Sequence, residues 1–174
     1  MTRYAALLRG VNVGGINLKM VEVAAVFTGL GLENVKTVLA SGNVLFDSLD
    51  SAATLKPRIE AALGERFGYE AWVHVLDMET IGRIIEAFPF EAEREGWHPY
   101  VIFTLDPARA AELLEWQDKL DAQFESIRPG DGVIYWTVER GNTLGSVFAK
   151  ETARAKHKAT TTTRNLRTLQ KLVR

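Results

Sequence analysis

The chain has 174 residues, of which 47% are hydrophobic and 25% are charged, a composition typical of a folded globular protein. It contains no cysteine, which excludes a disulfide framework, a thiol nucleophile and a cysteine-ligated zinc site. No apolar run approaches ~18 residues and no signal-peptide pattern precedes Arg3, so we expect a cytoplasmic protein with no membrane partner.

The net charge of −1 is unevenly distributed along the chain. Residues 150–174, the basic segment, contain eight basic residues and one acid, a charge of +7, and the remaining residues carry −8. The basic residues are Lys150, Arg154, Lys156, Lys158, Arg164, Arg167, Lys171 and Arg174. This asymmetry indicates that the basic segment meets either an anionic partner or the acidic body of its own chain.

The first predicted strand is followed by a glycine-rich turn. Residues 4–8 are apolar on both alternating faces, which is typical of a strand covered on two sides. The turn is bounded by two cations and contains Gly10, Gly14 and Gly15 between Arg9 and Lys19. A strand end, unpaired N–H groups and a helix N-terminus converge here, so the stretch favours binding of an anion.

Three helices, a hairpin and a further strand complete the first half. The predicted elements are a helix at 20–30, strands at 35–40 and 43–47, a helix capped by Asp50 or Ser51, a strand at 69–76 and a helix at 78–88. Pro57 is tolerated in the second helix if it lies in the first turn, where no N–H partner is lost. The order of the first six elements is the ferredoxin-like arrangement.

After a mixed-charge linker at 91–97, the pattern repeats. The predicted elements are a strand at 100–105, a helix from Asp106 and Pro107 to Leu120, strands at 124–128 and 133–138, a helix at 147–154, a strand at 158–162 and a last helix through Leu166, Leu169 and Val173. We therefore predict an α+β protein with two tandem ferredoxin-like (βαββαβ) halves, each followed by a helix, at 1–90 and 98–174.

The predicted topology brings two segments together as a candidate ligand site. In a ferredoxin-like unit, the loop after the first strand and the turn of the hairpin lie at the same end of the sheet. The candidate site consists of Arg9, Gly10, Asn12, Gly14, Gly15, Lys19, Ser41, Gly42 and Asn43. Cations and free N–H groups suit a phosphate, a carboxylate or charge developing on an oxygen. The alternative is a structural interpretation: these residues form tight turns and bind no ligand.

Other site chemistry is not favoured by the sequence. A P-loop beginning at Gly10 would need a lysine where Ile16 stands, so nucleotide hydrolysis of that type is excluded. His74 lies in a predicted strand, His98 in the linker and His157 in the basic segment, and none has metal-ligand spacing to another. We therefore predict no metal site and assign no cofactor, and the residues leave open whether a reaction accompanies binding.

Several motifs resemble those of a known family. They are Leu8-Arg-Gly-Val-Asn-Val-Gly-Gly15, Met20, Ser41-Gly-Asn-Val-Leu-Phe46, Thr162-Thr-Arg-Asn165, Thr168, Lys171 and Leu172. The chain resembles a bacterial family known only as domain of unknown function 1697. The resemblance implies that Arg164 and Asn165 take part in ligand binding. Leu166 stands where the family usually has tryptophan, and Ile16 where a polar or basic residue is common.

Three functions follow from these patterns. The leading one is binding of a small phosphorylated or otherwise anionic ligand at the glycine-rich turn, with catalysis left open. The second is nucleic-acid binding through the basic segment, which has the composition of a phosphate-contact surface but no aromatic residue in 149–174 for base stacking. The third is a structural protein-interaction module that uses an exposed hairpin edge.

We predict that Gly14→Ala and Gly15→Ala each weaken binding of inorganic phosphate or pyrophosphate, because a Cβ blocks a backbone conformation or a close approach to the ligand. The measurement is a thermal-shift titration of both variants and the wild type. A loss of stability with binding intact would favour the structural interpretation, and no change in either property would contradict the prediction.

Overall fold

The computed structural model of the chain describes residues 1–9, 17–38, 42–142, 145–158 and 160–174. They form two compact units, Met1–Ile81 with Leu172–Arg174 and Gly82–Lys171, and each unit contains a four-stranded antiparallel sheet. The predicted fold class, two tandem ferredoxin-like halves each followed by a helix, is confirmed. The division into halves at 1–90 and 98–174 stays a prediction.

The first half follows the order strand, helix, hairpin, helix, strand, helix. Its elements are β1 (Thr2–Leu8), α1 (Met20–Gly29), β2 (Glu33–Val38), β3 (Asn43–Ser48), α2 (Ala52–Phe67), β4 (Val73–Asp77) and α3 (Met78–Glu86). The sheet order β2-β3-β1-β4 places β1 between two partners. Residues 4–8 of β1 are all buried, as the apolar pattern on both faces predicts.

An aromatic cluster forms the core between the first sheet and its helices. The ring of Tyr4 stacks on that of Phe46 with centroids 5.6 Å apart, and Phe27 of α1 lies 5.6 Å from Phe46. Leu55 and Ile59 of α2 belong to the same buried cluster. Burial of these large side chains is the main favourable contribution to folding of this unit.

The ends of α2 are set by its sequence. The Ser51 hydroxyl caps the helix by accepting a hydrogen bond from the Thr54 N–H at 3.2 Å. Gly68 ends it in the left-handed conformation, with φ of 68° and its N–H bound to the Gly64 carbonyl. Because the cap is at Ser51, Pro57 lies in the second turn of the helix and not in the first, where it would be tolerated without loss of a hydrogen bond.

The second half repeats the topology. Its elements are β5 (Trp97–Thr104), α4 (Pro107–Leu114), β6 (Glu125–Pro129), β7 (Val133–Glu139), α5 (Val147–Thr152), α6 (Ala155–Lys158), β8 (Thr161–Asn165) and α7 (Leu166–Leu172). The sheet order β6-β7-β5-β8 matches the order of the first sheet.

Several boundaries differ from the sequence predictions. β4 begins at Val73 and not at residue 69. β5 begins at Trp97, where the sequence predicts a linker, so His98 lies in a strand. α4 ends at Leu114, well short of the predicted length, and a series of turns follows it. β8 begins later than predicted because α6 occupies the preceding residues, and it therefore includes Arg164.

The two sheets repeat each other in register as well as in order. Tyr4 lies opposite Phe46 in the first sheet, and Tyr100 lies opposite Trp136 in the second. Both pairs are stacked, with centroids 5.6 Å and 5.1 Å apart respectively. The same kind of cross-strand pair therefore stabilises the core-facing side of both halves.

In the parts of the chain that the structure describes, no helix is both long enough and apolar enough to cross a membrane.

We predict that Gly42→Ala lowers the stability of the chain by about 1 kcal/mol, because Gly42 has a φ of 85° that L-residues rarely adopt. The melting temperature should fall by roughly 2–4 °C. Gly42→Asn should cost less, because asparagine tolerates this region better. Equal melting temperatures for wild type and Gly42→Ala would contradict the prediction.

Candidate functional site

The carboxyl end of β1 is held on both sides by backbone hydrogen bonds. The Leu8 N–H donates to the Gly42 carbonyl at 2.8 Å, and the Arg9 N–H donates to the Trp72 carbonyl at 3.0 Å. Gly42 directly precedes β3 and Trp72 directly precedes β4. We call the place formed by Arg9, Gly42, Asn43 and Trp72 the Arg9 corner.

Trp72 is fixed from the side of α2 as well. The carboxylate of Glu60 accepts a hydrogen bond from the Val73 N–H at 3.1 Å, and Lys56 Nζ donates to the Val73 carbonyl at 3.0 Å. Lys56 Nζ and Glu60 Oε2 are also 2.6 Å apart. Since Trp72 itself accepts from the Arg9 N–H, the backbone that carries its indole is restrained on both sides.

The Arg9 guanidinium lies over the Trp72 indole, with its central carbon 4.1 Å from the ring centroid. Its Nε is buried and makes no hydrogen bond with any described residue. Burial holds the pKa of Arg9 below its usual value, while the nearby Glu70 carboxylate raises it. Arginine stays charged near neutral pH despite such a shift. The corner thus presents a partly buried cation whose Nε–H donor has no partner among the described residues.

Lys19 occupies the N-cap position of α1, and its carbonyl accepts hydrogen bonds from the N–H groups of Glu22 and Val23. The side chain of Lys19 does not cap this helix, and its ammonium is exposed. Among the described residues it has neither a hydrogen bond nor an ion pair. The N–H groups of the first turn and the helix dipole therefore favour negative charge at this terminus.

Asn43 is part of the hairpin structure. It is completely buried, and its Nδ2 donates to the Val38 carbonyl at 3.0 Å on the other arm of the hairpin. It also lies opposite Leu7 in β1. The structure therefore gives Asn43 a role in fixing the hairpin at the Arg9 corner, and its predicted ligand role stays a prediction.

The other members of the predicted site at the glycine-rich turn fall outside the residues that the structure describes. They are Gly10, Asn12, Gly14, Gly15 and Ser41. Their roles stay predictions.

Arg164 and Asn165 both make contacts within the second unit. Arg164 is buried, its Nη1 donates to Thr162 Oγ1 at 2.7 Å and to the Thr163 carbonyl at 3.0 Å, and burial lowers its pKa to about 10. The side chain of Asn165 accepts a hydrogen bond from the Arg167 N–H at 2.9 Å, the geometry of an N-cap on α7. The implied ligand role of both residues stays untested beside these structural roles.

The basic segment is partly neutralised by its own unit. Lys156 Nζ lies 3.1 Å from Glu112 Oε2, and Arg154 Nη1 lies 3.3 Å from Glu151 Oε1. Arg164 is buried. Arg164 is therefore unavailable for a phosphate-contact surface, and the pair of Lys156 with Glu112 agrees with the acidic body of the chain as the partner for part of the segment.

His157 is completely buried beside Glu151, with Nε2 and Oε1 3.2 Å apart. His74 is buried in β4 opposite Leu7, and His98 lies in β5, where burial and then the charges of Arg140 and Arg167 lower its pKa. Within the described ranges, no group of three or more histidine, aspartate or glutamate residues is arranged to hold a metal ion.

Trp72 is the residue of this corner that the sequence reasoning missed. The predicted topology places the start of the fourth strand beside the end of β1, because the two strands are antiparallel, but the strand predicted at 69–76 includes Trp72, whereas β4 begins at Val73. Residues that directly precede the fourth strand therefore belong to the same corner as Arg9. A tryptophan at such a position is a suitable surface for stacking an arginine.

Comparisons with known proteins agree on family and fold. The profile of a family described as protein of unknown function, DUF1697, matches residues 1–135, which include the first motif and the hairpin motif. Among solved structures, the conserved bacterial protein SP0830 from Streptococcus pneumoniae is 26% identical, with a TM-score of 0.82 over 99% of this chain and 97% of that chain. No curated protein matches the chain.

We predict that Asn165→Ala lowers stability by about 1 kcal/mol through loss of the helix cap, while Asn165→Asp keeps the cap and most of the stability. Chemical denaturation of the two variants measures this difference. Equal stability of Asn165→Ala and wild type would show that the cap contributes nothing.

Proposed function

The chain belongs to the DUF1697 family, and we propose that it binds a small phosphorylated or otherwise anionic ligand at the Arg9 corner. The observation that carries the proposal is the buried Nε of Arg9, a charged donor without an acceptor among the described residues. A buried donor without a partner is destabilising, and an anionic oxygen relieves that cost more effectively than a neutral acceptor.

The corner has the parts that anion recognition requires. Trp72 holds the guanidinium in one orientation, so less conformational entropy is lost when a ligand binds. Burial weakens the competition of water for the cation, as the lowered pKa of Arg9 reflects. The exposed Lys19 and the uncapped start of α1 add positive potential on the β1–α1 connection.

The described residues of the corner support binding better than they support a reaction. They supply a cation, an aromatic surface and a rigid hairpin, which orient and neutralise an anion. Binding of nucleic acid through the basic segment has weaker support, because Arg154 and Lys156 are ion-paired and Arg164 is buried.

We predict that Arg9→Met weakens binding of inorganic phosphate or pyrophosphate about ten- to hundredfold, since a charged hydrogen bond is lost. The methionine keeps an apolar stem against Trp72, so the melting temperature should barely change. Arg9→Lys should bind with intermediate strength, because it keeps the charge but lacks the planar donor set. Isothermal titration calorimetry with each anion measures the effect.

Arg94→Met is the matched control for this experiment. The Arg94 guanidinium carbon lies 3.8 Å from the centroid of the Trp97 ring, so the variant removes an arginine–tryptophan stack of the same kind in the other unit. It should bind both anions like the wild type. If Arg9→Met binds as tightly as Arg94→Met, or if the wild type binds neither anion nor any sugar phosphate, the proposal is wrong.

A further inference from the structure

Three basic residues meet at the end of the second sheet where β5 begins. β5 pairs antiparallel with both β7 and β8, so its start lies beside the ends of these two strands. His98 is the second residue of β5, Arg140 directly follows β7, and Arg167 follows β8 by two residues. The two arginines therefore flank the histidine from either side. We call His98, Arg140 and Arg167 the His98 cluster.

The backbone fixes both arginines at this end of the sheet. The Arg140 N–H donates to the carbonyl of Gly96, the residue before β5, at 2.7 Å. The Arg167 N–H donates to the side chain of Asn165, the last residue of β8, at 2.9 Å. The positions of the two arginines next to the start of β5 therefore follow from hydrogen bonds and strand pairing.

The imidazole of His98 is half-buried against the aromatic core of the second sheet. Tyr100 lies on the same sheet face by strand alternation, and the two rings are 5.7 Å apart at a tilt of 40°. Tyr100 in turn stacks on Trp136. One side of the imidazole is thus covered, which restricts its orientation and its access to water.

The charges around the imidazole are positive. Burial, and then the charges of Arg140 and Arg167, lowers the pKa of His98, so both charges that act on it are cations. Both arginines are exposed, and neither guanidinium has a hydrogen bond or an ion pair with any described residue. Two unpaired cations beside a half-buried ring favour the binding of an anion.

The carboxylates on the neighbouring strands do not pair with these cations. Glu139 lies on the other sheet face from His98 by strand alternation, and its carboxylate accepts a hydrogen bond from Asn142 Nδ2 at 3.0 Å. Glu125 belongs to β6, two strands away from β5, and accepts from Trp136 Nε1 at 3.1 Å. Both acids are therefore engaged elsewhere.

The first half has acids at the equivalent positions. The stacked cross-strand pairs of the two sheets align the halves, and in this alignment Arg140 corresponds to Asp50. The pairing of the same tyrosines with the last strand of each sheet aligns Arg167 with Glu79. Asp50 is ion-paired with Arg58 at 2.8 Å. The topology thus accommodates acids at these positions, so the cations are specific to the second half.

We propose that the His98 cluster is a second anion site, which takes the dianionic group of a phosphate monoester. The two guanidiniums donate charge-assisted hydrogen bonds to its oxygens, and the imidazole supplies a neutral N–H donor. The charge of a dianion matches that of two unpaired arginines. The site is independent of the Arg9 corner, because every residue of the His98 cluster belongs to the second unit.

The imidazole of His98 reports directly on this site. The histidine ring protons of the full-length chain are followed by NMR at about pH 8 and low ionic strength, and the His98→Gln variant assigns the signal. The probes are methyl phosphate, a dianion at this pH, and dimethyl phosphate, a monoanion like the diesters of nucleic acids. We expect methyl phosphate to shift the signal with a Kd of about 1 mM, and dimethyl phosphate to bind roughly fivefold more weakly.

Arg140→Gln and Arg167→Gln should each weaken methyl phosphate about tenfold, because each removes a charge-assisted hydrogen bond. Both residues are exposed, and glutamine keeps the backbone N–H groups that bond to Gly96 and Asn165, so folding is preserved. Lys158→Gln is the matched control. It also removes an exposed cation from the second unit, but it lies just before β8 and so at the other end of the sheet. This variant should bind like the wild type.

Four results would overturn the proposal. They are no shift of the His98 signal at about 10 mM methyl phosphate, equal affinity for the two probes, arginine variants that bind like Lys158→Gln, and loss of the response in Arg9→Met. The last result would place the phosphate at the Arg9 corner and not at the His98 cluster. A response that persists in Arg9→Met and weakens in Arg167→Gln supports the second site, whatever the outcome for the first.

Discussion

In both halves of the chain, backbone hydrogen bonds hold the end of a central strand on both sides. β1 lies between β3 and β4, so the last residues of the strand are bonded on one side to Gly42 and on the other to Trp72. Antiparallel pairing then requires that the hairpin turn and the start of β4 surround the end of β1. Arg9 is the first residue beyond that strand, and its side chain therefore reaches Trp72 without any need for a long loop to fold back.

The same strand arrangement occurs in both halves, so a comparison of equivalent residues distinguishes those that the fold needs from those that are specific to one half. Tyr4 with Phe46 and Tyr100 with Trp136 occupy equivalent positions in the two sheets, since both pairs serve the core. Arg9 and Leu105 also occupy equivalent positions, because the N–H of each donates to a carbonyl just before the last strand of its sheet, yet one is a cation and the other is apolar. The core has therefore kept its aromatic pairs in both halves, whereas the corners differ in charge and polarity. Differences between equivalent corners are the more informative guide to ligands.

Much of the fold can be predicted from the sequence, because the spacing of apolar residues indicates which side chains are buried. The apolar run of β1, the Ser51 cap and the Gly68 stop are local signals, and the structure contains each of them. The site was harder to predict because it depends on which side chains meet across strands. Asn43 is turned inwards to the Val38 carbonyl, and Arg164 is buried in β8, although both are polar residues that a sequence places readily at a surface. Strand register, which composition does not encode, decides these contacts.

The Lys56–Glu60 pair has a consequence for how this sheet can associate. An edge strand has unpaired N–H and C=O groups, with which any other extended chain can pair. At Val73 both groups are already bonded, to Glu60 and to Lys56 respectively. An incoming strand would have to break a charged contact at each position before it could extend the sheet there. The side chains of Lys56 and Glu60 thus block the addition of another strand at the start of β4. This edge of the sheet is protected there against aggregation through strand pairing.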